Sequence, residues 1–171
     1  MSTELVLFRH GKAENASLDV EIADVDRALT PKGVQDLKKS LVNLKIFLKS
    51  QHKILIWSSP LLRATQTAEL IAKQLKVKKI TSFDFISTGD FTAFSDELGK
   101  VEDAVSLVVV GHEPYLSEWS QIISGCRLPF KKGAGAGFEI ISTAPVTGEL
   151  TWFMQPKILR RIDLDQIGGK K

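Results

Sequence analysis

Cysteine is nearly missing: the 171 residues hold one, Cys126. A disulfide within the chain is therefore excluded, which fits a reducing compartment. A lone cysteine in an apolar stretch reads as a small, buried hydrophobe rather than as a nucleophile. Long apolar runs are missing too. Near the N-terminus, Glu4 and Arg9 bracket Leu5-Val6-Leu7-Phe8, a run too short for a membrane span or a secretory leader. A cytoplasmic protein that does not engage a membrane is expected. There is no dense basic block, and the formal net charge is only +3. Nucleic acid is not an expected partner, although the mild positive balance suits anionic substrates. Lys170 and Lys171 read as a solvated end. Neither an internal repeat nor a linker is evident.

What is present is enough hydrophobic sequence, 43%, for one core and a single domain over residues 1–171. Leu5-Val6-Leu7-Phe8, Ile54-Leu55-Ile56-Trp57 and Leu107-Val108-Val109-Val110 are short apolar runs of the kind buried strands show. Thr30-Pro31 reads as a helix cap followed by proline at the first helical position. Val34, Leu37, Leu41, Leu44 and Leu48 then recur at helical spacing. A second helix is expected from Ser58-Ser59-Pro60 through Leu75, and a third from about Pro114 to Ile123. Residues 138–141 and 150–154 fit a late hairpin. Residues 157–164 are ambiguous, and residues 81–101 are the least regular part, a loop or small helical excursion near the site. Alternating strands and helices predict an α/β fold: a three-layer α/β/α sandwich around a mostly parallel sheet.

Each apolar strand runs into a polar cluster. The first ends in Arg9-His10-Gly11. The second ends in Ser58-Ser59-Pro60 and delivers Arg63 one turn into a helix. The third ends in Gly111-His112-Glu113. Ligands of open α/β sheets bind beyond the carboxyl ends of the strands. Arg9, His10, Arg63 and His112 are thus expected to meet there and form an anion site beside helix N-termini.

These segments resemble the histidine phosphatase superfamily, which includes the cofactor-dependent phosphoglycerate mutases. The resemblance rests on Leu7-Phe8-Arg9-His10-Gly11-Lys12-Ala13-Glu14, on Ser58-Ser59-Pro60-Leu61-Leu62-Arg63-Ala64-Thr65-Gln66-Thr67-Ala68, and on Val110-Gly111-His112-Glu113-Pro114, with Arg27-Ala28-Leu29-Thr30-Pro31-Lys32-Gly33 also fitting. It extends from about Glu4 to Leu164, and the short length and Lys12 point to the small phosphohistidine phosphatase branch. The resemblance implies a phosphoglycerate mutase-like fold and a His10 nucleophile that forms a phosphohistidine intermediate. Arg9, Arg63 and His112 would bind and stabilise the phosphoryl group, with Gly11 and Glu113 as further substrate contacts. Asp84 is the candidate general acid and Asp90 a second candidate.

A neutral imidazole is a good nucleophile toward phosphorus. Arg9, Arg63 and a protonated His112 would keep a proton off His10. The same cations would stabilise the equatorial oxygens of the transition state. No metal and no cofactor are expected, because the arginines meet the charge that Mg²⁺ otherwise would. The expected substrate is phosphohistidine on a protein, for example a histidine phosphotransfer domain. Two alternatives stand beside it: a phosphatase or mutase for a small phosphorylated metabolite, and a non-catalytic phosphoprotein-binding module. His10 argues against the last, since phosphate binding alone needs only the arginines. A mutase needs a second phosphate site, for which no spare basic cluster is visible.

Plainer roles are expected elsewhere. Ser58 and Ser59 would end a strand and cap a helix. Glu113 would also serve a helix dipole. Gly133-Ala134-Gly135-Ala136-Gly137 would allow close packing, not cradle phosphate, since it lacks the P-loop ending. Trp57, Trp119 and Trp152 read as core, and His52 as exposed.

Overall fold

The computed structural model describes residues 2–15 and 23–163; Leu164, Lys170 and Lys171, and the expectations for them, lie outside the described residues. Leu5 to Phe8 form the middle of β1 (Glu4–Arg9), and all four are fully buried. Successive strand side chains point to opposite faces, so an unbroken apolar run needs cover on both. Leu5 and Leu7 join one core with Trp57, Leu107 and Val109. Val6 and Phe8 join the other with Ile56, Val108 and Val110.

The other strands are β2 (Lys53–Ser58), β3 (Ile80–Ser82), β4 (Val105–Gly111), β5 (Gly135–Thr143) and β6 (Val146–Met154). They complete a six-stranded sheet of order β3-β2-β4-β1-β5-β6. The first four in that order are parallel, and β5 and β6 add an antiparallel hairpin. Helices α1 (Pro31–Leu41) and α2 (Leu62–Leu75) cover one face through Leu37, Leu41, Ala64, Ala68 and Ile71. Helices α3 (Asp84–Thr88), α4 (Phe91–Leu98) and α5 (Tyr115–Ser124) cover the other through Ile86, Phe94, Leu98, Leu116 and Trp119. A short α6 (Pro156–Leu159) follows β6. The result is the three-layer sandwich expected from the alternation. No helix of the described residues is long and apolar enough to cross a membrane.

Several local expectations change. Helix α1 begins as predicted, with the Thr30 side chain accepting from Gly33 N at 2.9 Å. It stops at Leu41, and Leu44 reaches the same core from a 3₁₀ turn, Leu44–Phe47. The apolar spacing outlasts the helix because the turn keeps the same side inward. Residues 81–101 are regular: β3, α3 and α4, separated by Gly89 in the left-handed region (φ 76°) and by the Asp90 cap on Ala93 N. Aromatic packing orders them. Phe83, Phe85 and Phe94 surround Trp57, and Phe94 stacks on Trp119 at 4.5 Å. The hairpin strands are longer than predicted and leave only Ala144-Pro145 between them.

Cys126 is exposed, not buried. Gly125 (φ 75°) ends α5 and leaves the cysteine in the connection beyond the apolar helix face. His52 is half-buried, contrary to expectation. Trp57 and Trp119 lie in the core. Trp152 is half-buried and lies flat on the glycine face of β5, where a Cβ on Gly137 would come within 2.1 Å of its Nε1.

Gly33 tests how tightly α1 is held to the loop after β1. A Cβ there would sit 2.3 Å from the Lys12 backbone oxygen, which cannot rotate away. Gly33→Ala is expected to cost about 1–3 kcal/mol of stability, measured by urea unfolding. Gly99→Ala, whose Cβ would meet nothing nearer than 3.6 Å, should be neutral or slightly stabilising.

Candidate active site

Strands β1, β2 and β4 end together. Arg9 pairs with Gly111, and Ser58 with Val110. The residues just beyond are tied across: His10 N donates to Gly111 O (3.2 Å) and Ser59 N to Val110 O (3.0 Å). His10, Ser59 and His112 therefore stand side by side at one edge of the sheet. Thr67 attaches the start of α2, accepting from Gly11 N at 3.1 Å while donating to Arg63 O at 2.7 Å. The structure thus brings together Arg9, His10, Arg63 and His112, as the strand ends predict. The two rings lie 5.1 Å apart between centroids.

His10 is buried, and its Nδ1 lies 2.7 Å from Gly11 O. A carbonyl can only accept, so Nδ1 carries the hydrogen and Nε2 keeps its lone pair. Burial is the main cause that lowers the His10 pKa to about 3, and the neighbouring His112, Arg63 and Arg9 add to it. Burial first, then Arg63, lowers His112 to about 4. His112 is therefore neutral near pH 7, which corrects the expectation of a protonated ring. Desolvation outweighs the attraction of any nearby carboxylate.

Arg9 Nη1 donates to Phe130 O at 2.8 Å. Arg63 Nη1 donates to Asp24 O at 2.9 Å, and its Nη2 to Asp24 Oδ2 at 3.3 Å. Arg27 holds the same carboxylate from the other side at 2.6 and 2.8 Å; this Arg27 contact is the main reason the Asp24 pKa is lowered. Arg9 Nε, Arg63 Nε and His112 Nδ1 are buried nitrogens with no hydrogen-bond partner. A buried donor left unpaired costs about 1–3 kcal/mol, and the two guanidinium Nε–H groups beside the pair of histidines suit an oxyanion.

The remaining predicted residues do other things. Gly11 is buried against Leu37, whose Cδ1 would lie 2.6 Å from an added Cβ. Glu113 accepts from Ser117 N at 2.9 Å at the start of α5, and its charge opposes the effect of burial on Arg9. Ser59 does not cap α2, which starts from Leu61 without a side-chain cap. Its hydroxyl accepts from Leu61 N at 3.2 Å and lies 2.7 Å from His112 Nε2. Asp84 is exposed in the first turn of α3, beyond the end of β3, and Asp90 caps α4. Among the described residues, no hydrogen bond links either carboxylate to His10 or His112.

Sequence reasoning gave no role to Asp24, Arg27, Thr67 or Lys132. Thr67 and Arg27 stand inside quoted motifs, so a signal was there to follow. Lys132 gave none: burial lowers its pKa, and Arg9, Arg27, Lys12 and Arg63 add to the shift. It joins the basic surround of the site from a distant segment. Among the described residues, no group of three or more His, Cys, Asp or Glu side chains is placed to hold a metal ion.

The sequence profile of the histidine phosphatase superfamily (branch 1) matches residues 5–103. The chain belongs to this superfamily. A relative from Picosynechococcus, itself uncharacterised, is 37% identical over 144 residues, 80% of this chain and 84% of the relative. Solved structures share the superfamily's phosphoglycerate mutase-like fold. The protein histidine phosphatase SixA, complexed with tungstate, superposes with a TM-score of 0.70 at 22% identity, over 91% of this chain and 99% of its own. A phosphoserine phosphatase variant from Entamoeba histolytica, with phosphoserine, gives 0.67 at 17%, over 94% and 100%. A mycobacterial glucosyl-3-phosphoglycerate phosphatase gives 0.61 at 14%, over 91% and 100%. In this superfamily member the profile covers the Arg9-His10-Gly11 and Arg63 segments and stops before His112.

Two buried neutral histidines make stability depend on pH. Between pH 6.5 and the folded values of about 4 and 3, the unfolded chain binds protons that the folded chain refuses. Stability is therefore lost as pH falls through that window. The melting temperature is expected to drop from pH 7 to 5.5, a range in which ordinary carboxylates, with pKa values of about 4, stay ionised. His112→Asn should flatten that slope.

Proposed function

We propose that this chain is a metal-independent phosphatase that uses His10 as its nucleophile and removes phosphate from phosphohistidine on a protein. One observation carries the reading: Gly11 O holds the hydrogen of a neutral His10 on Nδ1, which leaves the Nε2 lone pair for phosphorus. Nε2 attacks in line and the bond to the leaving group breaks. The charge on the three equatorial oxygens is met by Arg9, Arg63 and His112. Water then attacks the phosphohistidine, phosphate departs and His10 is restored. Asp84 is the proposed acid for oxygen esters. Its exposed place in α3 suits a leaving group that needs little help, and an imidazole leaves more readily than an alkoxide. The fold likeness to a protein histidine phosphatase is in keeping with this.

A second reading, a small-metabolite phosphatase, draws support from Lys132, which feels Arg9, Arg27, Lys12 and Arg63. Such a surround suits a substrate with a second anionic group. A panel of phosphorylated histidine phosphotransfer domain, aryl phosphate, phosphoserine peptide, sugar phosphates and phosphoglycerate separates the two. Phosphohistidine and aryl phosphate are expected to rank well above the alkyl phosphates, and Asp84→Asn should slow alkyl phosphates most. Phosphoglycerate or a sugar phosphate ranking first by a wide margin would replace the protein reading. No turnover of any member, with binding retained, would leave a phosphoprotein-binding module.

His10→Ala should abolish turnover, and rapid quenching of the wild type should trap acid-labile, alkali-stable phosphate on His10. Residual activity above about a hundredth of wild type would point to direct attack by water, because losing a nucleophile costs far more. Arg63→Lys keeps the charge and loses the fork. A fall in kcat of about a hundredfold is expected; a change confined to KM would mean that Arg63 binds ground and transition states alike.

A further inference from the structure

His10 owes its tautomer to a carbonyl, whereas the partner of His112 Nε2 is a hydroxyl, that of Ser59 at 2.7 Å. A carbonyl would dictate the position of the hydrogen, but a hydroxyl can donate or accept. The surroundings of Ser59 decide between these. Ser59 is fully buried and held at the strand edge by its N–H on Val110 O. One lone pair of its Oγ already receives the Leu61 N–H at 3.2 Å. Its single hydrogen then has one described acceptor within reach, His112 Nε2. The opposite assignment leaves the buried hydroxyl hydrogen with no described acceptor, whereas His112 Nδ1 has no hydrogen-bond partner in either tautomer. A buried hydroxyl hydrogen left without an acceptor is unfavourable, so the hydroxyl donates.

We propose that Ser59 is a positioning residue that donates its hydroxyl hydrogen to His112 Nε2, which fixes the neutral ring as the Nδ1–H tautomer and leaves Nδ1–H free to donate to a phosphoryl oxygen. The last clause rests on the proposed function; the tautomer itself does not. The depressed pKa of His112 agrees, since a neutral ring has one hydrogen to place and Ser59 selects where. The arrangement gives the pocket a donor that adds no charge beside His10. A second charged ring would compete with the arginines, whereas a neutral N–H completes the set of donors.

The test begins with the substrate-free, ¹⁵N-labelled full chain at pH 7. Two-bond ¹H–¹⁵N spectra of the imidazoles report which nitrogen carries hydrogen. The chain has three histidines, so His10→Asn and His52→Asn suffice to assign His112. Wild type is expected to show Nδ1–H on His112, and Ser59→Ala to shift the ring toward Nε2–H. Ser59→Thr should restore at least part of the Nδ1–H signal. On an aryl phosphate, Ser59→Ala should lower kcat at least about tenfold with little change in KM, with Ser59→Thr recovering much of the loss. A wild-type ring protonated on Nε2, or a ring unmoved by Ser59→Ala, overturns the proposal. If Ser59→Ala does not fold, the wild-type spectrum still decides. Wild-type protein that shows the Nδ1–H ring but hydrolyses no phosphoryl substrate would instead overturn the proposed function and leave the tautomer assignment standing.

Discussion

Parallel pairing of β2, β4 and β1 sets everything else. Because Ser58 lies opposite Val110 and Arg9 opposite Gly111, the three strands finish level, and the next residue of each faces the same space. Parallel strands need crossover connections, and α1 and α2 are those connections on one face. Slipping one strand by a single residue would turn its core side chains to the other face and carry its terminal residue away from the site. The double core forbids that slip: Leu5 and Leu7 are bound to one layer, and Val6 and Phe8 to the other. Packing energy spent in the middle of the sheet therefore holds chemistry at its end.

At that end, burial decides the state of the histidines. Both rings sit where desolvation outweighs every charge around them, so both are neutral at pH 7. Neutral rings have tautomers, and the local hydrogen bonds select them. Gly11 O settles His10, and Ser59 stands against His112. The positive charge is left to the guanidinium groups, which cannot titrate away. Asp24 binds Arg27 through Nε and Nη2 but Arg63 only through its Nη groups, which leaves Arg63 Nε unpaired. Arg9 is handled in the same way by Phe130 O. The arrangement separates nucleophile from cation, so that neither role compromises the other.

The sequence by itself determined the sandwich, the three central strands, and which side chains gather at their ends. Those features are local: an apolar run buried on both faces carries its own signature, and Arg9-His10-Gly11, Arg63 and Gly111-His112 are each fixed to an adjacent strand end or first helical turn. Tertiary structure alone decided the rest. The order of residues 81–101 comes from aromatic contacts with Trp57 and Trp119, which no local periodicity announces. Cys126 fell on the wrong side of its burial expectation because the helix stop at Gly125 is a fact of packing, and Trp152 packs against the core only in part, across the glycine surface of β5. The charge of His112 was misjudged because desolvation is set by the whole fold. Asp24, Lys132 and the hydroxyl of Ser59 meet the site across gaps of tens of residues. No spacing rule reaches that far, since the distance between such groups is fixed only once the sheet has closed around them.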